Sequence, residues 1–335
     1  MKLLLSICIC WFLLGLWSNP GSAQDLAGAQ AALKAKDYDK VIATLTPFIE
    51  KLNREGLYTL AEAQSEKGNS VTAIKLYEAA QSLNPKDAAT KRRIGLEQLK
   101  QKKEDLAMAT LREAIEMNPD YEPAYVDLGD LLEKRSTAHS TKMNRYDVRL
   151  LYEDLIKRPN VGHKAPYITK LCELTSLDGQ YDVAPGFCEE GIKLNPREPK
   201  NYVNLASDQK ETGKTEEAEK TYAKAADSFA KSEIAQVSMA KFYEDNKNFM
   251  KAYNYYKRGV DANPDSLPAL YGVSHAAVEL QKFEEAFKAL THACELNRNA
   301  NTEVRKALRS ATMQKIQPWT TKLDQLTDHC GISKE

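Results

Sequence analysis

The chain has 335 residues, which is enough for two or three compact domains or for one extended repeat array. Its 47 lysine and arginine residues balance 47 aspartate and glutamate residues. Nucleic acids and anionic membranes attract proteins with a net basic surface, so this balance argues against either as the main partner.

Residues 1–23 have the layout of a cleaved secretory signal. Lys2 supplies a positive start, residues 3–17 form an apolar run, and a small-x-small site ends at Ala23. The mature chain is then expected to begin at Gln24. A retained membrane anchor is the alternative, but a spanning helix needs about 20 apolar residues. We therefore expect an exported protein, periplasmic or secreted, with no membrane span after cleavage.

Residues 24–53 have the pattern of a helical hairpin. An alanine-rich segment precedes a tight turn at residues 37–39, and a segment with apolar residues three and four apart follows the turn. Pro47 falls inside that second segment. We expect it to bend the helix, because proline removes one backbone donor.

Residues 54–300 repeat one hairpin at a regular interval. Asn-Pro pairs begin at Asn84 and Asn118, 34 residues apart (118 − 84), and at Asn195 and Asn263, 68 residues or two periods apart (263 − 195). Each unit has a small residue at positions 8, 20 and 27, and large residues at positions 4, 7 and 24. In the first unit these are Leu57, Leu60, Ala61, Ala73, Tyr77 and Ala80. Small residues let two helix axes approach, and the large ones fill the groove beside them.

One interval is longer than the others. Pro119 and Pro196 are 77 residues apart (196 − 119), nine more than two periods. Most of this excess is expected in residues 134–147. Either both helices of that hairpin run about one turn longer, or a polar loop projects from the array. The cluster of Ser, Thr, Asn and His favours the loop.

Residues 301–335 are expected to close the array. They have the pattern of one helix, a break at Pro318 and a short final helix before Gly331. A repeat array needs an end with a polar outer face, and a capping helix pair with a tail fits that need.

The quoted units resemble the tetratricopeptide repeat family over nearly all of residues 25–316, as about eight hairpins. The resemblance implies an all-α, right-handed superhelix whose concave face, lined by the first helix of each pair, binds a peptide or helix of a partner protein. It implies a scaffold rather than an enzyme. The family's clamp for a chain terminus is matched at Asn204 but not at Ile234 or Ser238, which puts that mode of binding in doubt.

Catalytic, nucleotide-binding and metal-binding patterns are weak in this sequence. Gly213-Lys214-Thr215 resembles the end of a phosphate-binding loop, but Asp208 stands where the first glycine is required. The histidines do not form ligand-spaced pairs with cysteines or carboxylates, and no nucleophile motif occurs. We therefore predict no enzyme activity, no cofactor and no metal.

Four cysteines follow the predicted signal, and they suggest two pairings. Cys172 and Cys188 hold the eighth and twenty-fourth positions of one unit, which face each other across its two helices. Cys294 and Cys330 would join the tail to the last full repeat. The alternative is that the cysteines are free and serve as small core residues.

The inner wall of the array is predicted by projecting first-helix positions two, five, nine and twelve. The candidate partner-binding residues are Glu55, Tyr58, Glu62, Arg92, Leu96, Asp130, Lys200, Lys241, Tyr271, His275, Arg305 and Arg309. The C-terminal end of this set is more basic, and the middle is more acidic. This polarity could set the direction of a bound segment, or it is a chance grouping on a solvated face.

The sequence thus predicts a non-catalytic scaffold that binds a protein or peptide partner in the cell envelope and associates with envelope complexes. The absence of any Asn-x-Ser/Thr sequon fits a bacterial periplasm. One alternative is an assembly factor for an envelope polymer or a pilus that also contacts glycan through its aromatic groove residues. A less favoured alternative is an enzyme or metal protein.

Overall fold

The structure, a computed structural model, describes residues 23–139, 142–297, 321–322 and 326. Within these residues the chain forms sixteen α-helices, one 3₁₀ helix at Thr46–Lys51, and no strand. The helices are α1 (Ala23–Lys34), α2 (Tyr38–Leu45), α3 (Arg54–Glu66), α4 (Ser70–Leu83), α5 (Ala88–Lys100), α6 (Glu104–Met117), α7 (Glu122–His139), α8 (Lys142–Ile156), α9 (Ala165–Leu177), α10 (Ala184–Leu194), α11 (Pro199–Glu211), α12 (Thr215–Ser228), α13 (Glu233–Asp245), α14 (Phe249–Ala262), α15 (Leu267–Glu279) and α16 (Phe283–Leu296). They follow one another as eight helix pairs, so the predicted all-α architecture of about eight hairpins is confirmed.

The turns inside the hairpins share one backbone feature. Seven of them contain a residue in the left-handed region, with φ between 57° and 81°: Lys36, Gly68, Lys102, Gly179, Gly213, Lys247 and Gln281. This conformation turns the chain so that the backbone N–H groups that follow can donate hydrogen bonds to carbonyl groups in the last turn of the first helix. The Asn69 amide, for example, donates to the Gln64 carbonyl at 2.9 Å. The backbone, rather than one particular side chain, therefore sets the hairpin geometry.

The second helices end where the Asn-Pro pairs predict. The residue after α4, α6, α10, α14 and α16 is an asparagine with φ between −136° and −145°, which lies outside the helical range. Proline follows four of these asparagines, and its missing N–H prevents the helix from continuing.

The chain divides into two compact units, each with its own packing. Unit 1 comprises the described residues up to 151 together with 157–161, and unit 2 comprises residues 152–156 and the described residues from 162 onward. In unit 1, helices α3 to α7 pack consecutively, and α5 also contacts α7. In unit 2, helices α9 to α16 pack consecutively, and α9, α11, α13 and α15 contact one another in turn. The first helices of each unit therefore lie side by side.

The cores follow the small-and-large pattern of the repeat. The small positions are fully buried, for example at Ala61, Ala73 and Ala80 in unit 1 and at Ala240 and Ala252 in unit 2. Tyr77 and Tyr256 fill the adjacent grooves, and each is 1% exposed. A Cβ atom at Gly272 would lie 2.1 Å from Tyr256 Cε1, so glycine is required for α15 to pack on that ring.

The polar loop expected at residues 134–147 is wrong, and of the longer-helix alternative only the part for the first helix holds, because α8 has 15 residues against 14 in α4 and α6. Helix α7 runs to His139 and has 18 residues against 13 in α3 and α5, and α8 begins at Lys142. Arg135, the first residue of the extra turn, lies 2.7 Å from Asp105, and Lys134 just before it lies 3.6 Å from Glu104; both carboxylates are in the first turn of α6. The chain is therefore helical at residues 134–139, where composition favoured a loop. Most of the remaining excess lies in the connection at residues 157–164.

Pro47 ends a helix rather than bending one. Helix α2 stops at Leu45 and continues as the 3₁₀ helix Thr46–Lys51, in which Phe48 leaves helical geometry. A proline lacks the N–H for the i→i−4 bond, and the tighter 3₁₀ turn tolerates this loss near its start.

Several predictions concern residues outside the described part of the chain. These are the signal in residues 1–22 and most of the predicted cap in 301–335. Of that cap, Leu326 is 4% exposed within the unit 2 core, and Lys322 Nζ lies 3.7 Å from Glu284. Within the described residues, no helix combines the length and the apolar character needed to cross a membrane.

Candidate partner-binding surfaces

The unit 1 surface is formed by the first helices α3, α5 and α7. At its centre Arg93 connects two predicted residues: its Nε donates to Tyr58 Oη at 3.1 Å, and its Nη2 donates to Glu62 Oε1 at 2.8 Å. Burial raises the pKa of Glu62, and the neighbouring Arg93 opposes this shift. Tyr58 also packs edge-on against Tyr77, with ring centroids 5.3 Å apart. The projection missed Arg93, which lies at position six.

Other predicted residues of unit 1 also have partners within the chain. Arg92 on α5 forms two hydrogen bonds with Asp127 on α7, at 2.5 and 3.2 Å. Glu55 accepts a hydrogen bond from Gln30 at 2.7 Å. Leu96 is half-buried, and Asp130 is exposed. Much of the charge predicted to receive a partner therefore connects neighbouring repeats.

A second polar contact joins α3 to α5 near their C-terminal ends. Lys100 Nζ donates to Ser65 Oγ at 2.6 Å and to Glu97 Oε1 at 2.7 Å, and Ser65 donates to the same Glu97 oxygen. Burial acts to raise the pKa of Glu97, but these hydrogen bonds outweigh it and lower that pKa. A carboxylate that is only 3% exposed is thus held in its charged form.

The unit 2 pocket is a cavity of about 520 Å³ between α13 and α15. It brings together three predicted residues, Lys241, Tyr271 and His275. Glu244 and Tyr256 complete its polar lining. Lys241 and His275 are exposed and Tyr271 is half-buried, so a cation, an imidazole and an aromatic ring face the same space. The sequence placed these three residues on one wall, and the structure places them around one concavity.

Glu244 organises the floor of the unit 2 pocket. One carboxylate oxygen accepts a hydrogen bond from the Tyr256 hydroxyl, and the other contacts His275 Nδ1. Burial acts to raise the pKa of Glu244, but its contacts with His275 and Tyr256 outweigh burial and lower the pKa. Glu244, which contacts His275, stands at projected position twelve of its unit but was not among the candidates, and Tyr256, which donates to Glu244, reads as a core residue.

The remaining predicted residues do not join this pocket. Lys200 is exposed at the start of α11, and Arg305 and Arg309 lie outside the described residues. A further cavity of about 640 Å³ lies between α14, α15 and α16, with Val260, Leu270 and Ala289 in its wall, and none of the predicted residues lines it.

The cysteines differ in what the structure describes. Cys172 on α9 and Cys188 on α10 are joined by a disulfide, with Cα atoms 4.8 Å apart, and both are fully buried. Cys294 is buried in α16, and its predicted partner Cys330 lies outside the described residues. Among the described residues, no group of three or more His, Cys, Asp or Glu side chains is arranged to hold a metal ion.

Comparisons with known proteins agree with the repeat fold. The tetratricopeptide repeat profile matches residues 55–87, 93–121 and 267–299. The chain is similar in structure to the C-terminal part of a repeat protein of this kind from Cytophaga hutchinsonii, with 18% identity, a TM-score of 0.56, and coverage of 74% of this chain and 99% of that one. It is also similar to a tetratricopeptide repeat protein from Parabacteroides merdae, with 14% identity, a TM-score of 0.52, and coverage of 83% and 98%. No curated protein matches the chain by sequence.

Proposed function

Because this chain is a tetratricopeptide repeat protein, we propose that it is a non-catalytic scaffold that holds a segment of a partner protein against its first helices, outside the cytoplasm. The repeats themselves support a protein-interaction scaffold. The type of partner contact, the compartment and the role in the cell envelope are the parts that we propose.

The unit 2 pocket is the observation that supports the contact. Lys241, Tyr271 and His275 are contributed by two neighbouring first helices and face one cavity of about 520 Å³. A space of this size takes one or two side chains of a bound segment. Tyrosine supplies apolar area with a polar tip, and the exposed ammonium supplies a charged donor. We expect one residue of the partner to anchor here, while the unit 1 surface keeps its polar groups largely for contacts between repeats.

The disulfide supports the proposed compartment. Structural disulfides form and persist in oxidising compartments and are rare in the cytosol. The Cys172–Cys188 bond, together with the signal layout of residues 1–23, favours export to the periplasm or the envelope. Fractionation of cells that express the chain, followed by N-terminal sequencing, tests this proposal. Protein in the envelope fraction that begins at Gln24 agrees with it, and cytosolic protein that begins at Met1 contradicts it.

Site-specific crosslinking tests the contact. A photoreactive phenylalanine analogue replaces Tyr271 in the pocket, and the matched control carries it at Tyr146, an exposed tyrosine of α8. The expected result is a partner adduct at position 271 that is absent at position 146. The same adducts at both positions would contradict a specific site.

Calorimetry with the identified and purified partner completes the test. We expect Lys241→Glu to weaken binding about tenfold, or about 1.4 kcal/mol. Lys220→Glu, which changes an exposed lysine of α12 outside the pocket, is expected to bind as wild type does. An unchanged affinity in Lys241→Glu would remove the pocket from the proposal.

A further inference from the structure

A buried carboxyl group lies against the disulfide. Asp208 on α11 is 1% exposed, and its Oδ2 lies 3.9 Å from Cys188 Sγ on α10. The Ser176 hydroxyl on α9 donates to the same Oδ2 at 2.9 Å. Three consecutive helices thus converge on one carboxyl group next to a bond between two sulfurs. Nothing in the proposed partner contact uses this group.

The environment of Asp208 is poor for a permanent negative charge. Its Oδ1 is buried and accepts no hydrogen bond within the described part of the chain. Burial raises the pKa of Asp208 to about 6, although the Ser176 hydrogen bond opposes the shift. A buried carboxyl group with one donor and one unpartnered oxygen can take up a proton near neutral pH.

The neighbouring helices define the groups that face Asp208. Helix α9 presents Ser176, α10 presents the Cys188 sulfur, and α12 presents Tyr222, whose hydroxyl interacts electrostatically with Asp208. On α13, the nearby charged residue Asp245 is paired with Lys210 of α11 at 2.5 Å. The Cys188 sulfur is therefore the proton donor that would become available to Asp208 once the disulfide is opened.

We propose that Asp208 is the proton acceptor that activates Cys188 when the Cys172–Cys188 disulfide closes. A thiol must lose its proton before its sulfur can attack a disulfide. The carboxylate at Oδ2 is placed to accept that proton from Cys188. No comparable contact of Asp208 with Cys172 is present among the described residues, so Cys188 is the attacking sulfur and Cys172 the sulfur attacked.

The step balances with a small disulfide as the oxidant. Cys172 first loses its proton to solvent, and its sulfur attacks oxidised glutathione: the glutathione S–S bond breaks, the Cys172–glutathione bond forms, and one glutathione leaves as a thiolate that takes up a proton. Cys188 then passes its proton to Asp208, and its sulfur attacks the Cys172 sulfur. The Cys172–glutathione S–S bond breaks, the Cys172–Cys188 bond forms, and the second glutathione leaves as a thiolate. The two protein sulfurs are oxidised, and the glutathione disulfide is reduced to two thiols once the protons are taken up.

The test follows this closing step in the full chain. The protein is reduced and freed of reductant, its fold is checked by circular dichroism, and it is mixed with oxidised glutathione. Samples are quenched by alkylation and mapped by mass spectrometry at Cys172 and Cys188. The variants are Asp208→Asn, which keeps the shape without the base, and Ser176→Ala, which removes the donor and keeps the carboxylate. Cys188→Ser cannot close the disulfide, so it accumulates the mixed disulfide at Cys172 and provides the reference mass for that species.

The mixed disulfide at Cys172 is expected to accumulate in Asp208→Asn and not in the wild type or in Ser176→Ala. A thiol is only a few per cent ionised at pH 7, so the closing rate should fall about tenfold or more without the base. Above the pKa of the Cys188 thiol, the closing rates of the wild type and of Asp208→Asn should converge, because the thiolate then forms without a neighbouring base. Equal closing rates at pH 7, or a deficit in Asp208→Asn that is the same at every pH, would overturn the proposal.

Discussion

Arg92 and Asp127 form a two-point hydrogen-bonded pair across neighbouring first helices, and they are 35 residues apart in the chain. The same separation recurs in Tyr58–Arg93, Ser65–Lys100 and Lys210–Asp245. One period of 34 residues plus one residue therefore places polar partners opposite each other. We call these contacts the i,i+35 pairs. They connect successive repeats within each unit, on the surface that the sequence predicted to be free for a partner.

Removing the guanidinium group of Arg93 is expected to destabilise unit 1. Arg93→Ala leaves Tyr58 and Glu62 without their shared donor, and the cost of an unpaired, partly buried polar group is about 1–2 kcal/mol. Urea unfolding followed by circular dichroism measures the loss. The control is Arg112→Ala, an exposed arginine of α6, which should stay within about 0.5 kcal/mol of wild type. Equal stability of the two variants would show that the pair contributes nothing.

Gly272→Ala should disrupt the packing of α15 on α14. The new Cβ would meet Tyr256 at 2.1 Å, and a buried ring cannot withdraw without moving its neighbours. Overpacking of this kind costs about 1–3 kcal/mol. Gly186→Ala in α10 is the matched control, because a Cβ there meets nothing within 4 Å and alanine favours helix. Thermal unfolding of both variants decides the matter, and a wild-type melting temperature for Gly272→Ala would contradict the close approach.

The stability of unit 2 should depend on pH through Asp208. Its pKa in the fold is about 6, above the ordinary value of 3.8, so the folded state binds more protons than the unfolded state between these values. The free energy of unfolding should therefore decrease as pH rises from 4 to 7, by up to about 3 kcal/mol from this group. Asp208→Asn removes the charge, and it should be more stable than wild type at pH 7 and lose this component. If Asp208→Asn is less stable than wild type at pH 7, the ionised Asp208 stabilises the fold and the expected pH dependence is wrong.

The disulfide is expected to stabilise unit 2 by restricting its unfolded chain. Cys172 and Cys188 are 16 residues apart, and a loop of that length corresponds to about 3 kcal/mol. The double variant Cys172→Ala/Cys188→Ala should lose about 2–3 kcal/mol in urea unfolding. The wild type unfolded in reductant provides the comparison and should approach the variant. If reductant leaves the stability of the wild type unchanged, the bond contributes little.

The sequence was sufficient for the elements and insufficient for their side-chain contacts. The 34-residue period, the buried alanines and the Asn-Pro ends follow from periodicity and backbone chemistry, and each hairpin repeats them. The i,i+35 pairs were missed because projection onto a helix face gives direction but not partners. Arg93 is the clearest example: it lies one position from the projected set and binds two of its members. A search for opposite charges one residue beyond the period would have found Arg92–Asp127.

In the unit 2 pocket, too, the sequence predicted some residues and not the contacts between them. Lys241, Tyr271 and His275 were predicted as wall residues from their positions alone, and all three line the cavity. Glu244 was not predicted, since its role depends on the rotamers of Tyr256 and His275. The helical extension of α7 was the less favoured of two predictions, for a different reason. Local composition favoured a loop, whereas in the structure this segment is helical and its Lys134 and Arg135 pair with carboxylates of α6.

The position of that extension explains how the array tolerates an insertion. The extra residues of α7 follow Lys134, beyond Asp127, so the segment between Arg92 and its partner keeps its length. An insertion placed before Asp127 would shift the carboxylate by about 100° around its helix for each added residue and separate it from the guanidinium. A helix of unit 1 can therefore gain residues beyond its paired side chain without separating the pair. The stretch of chain between two paired side chains has a fixed length.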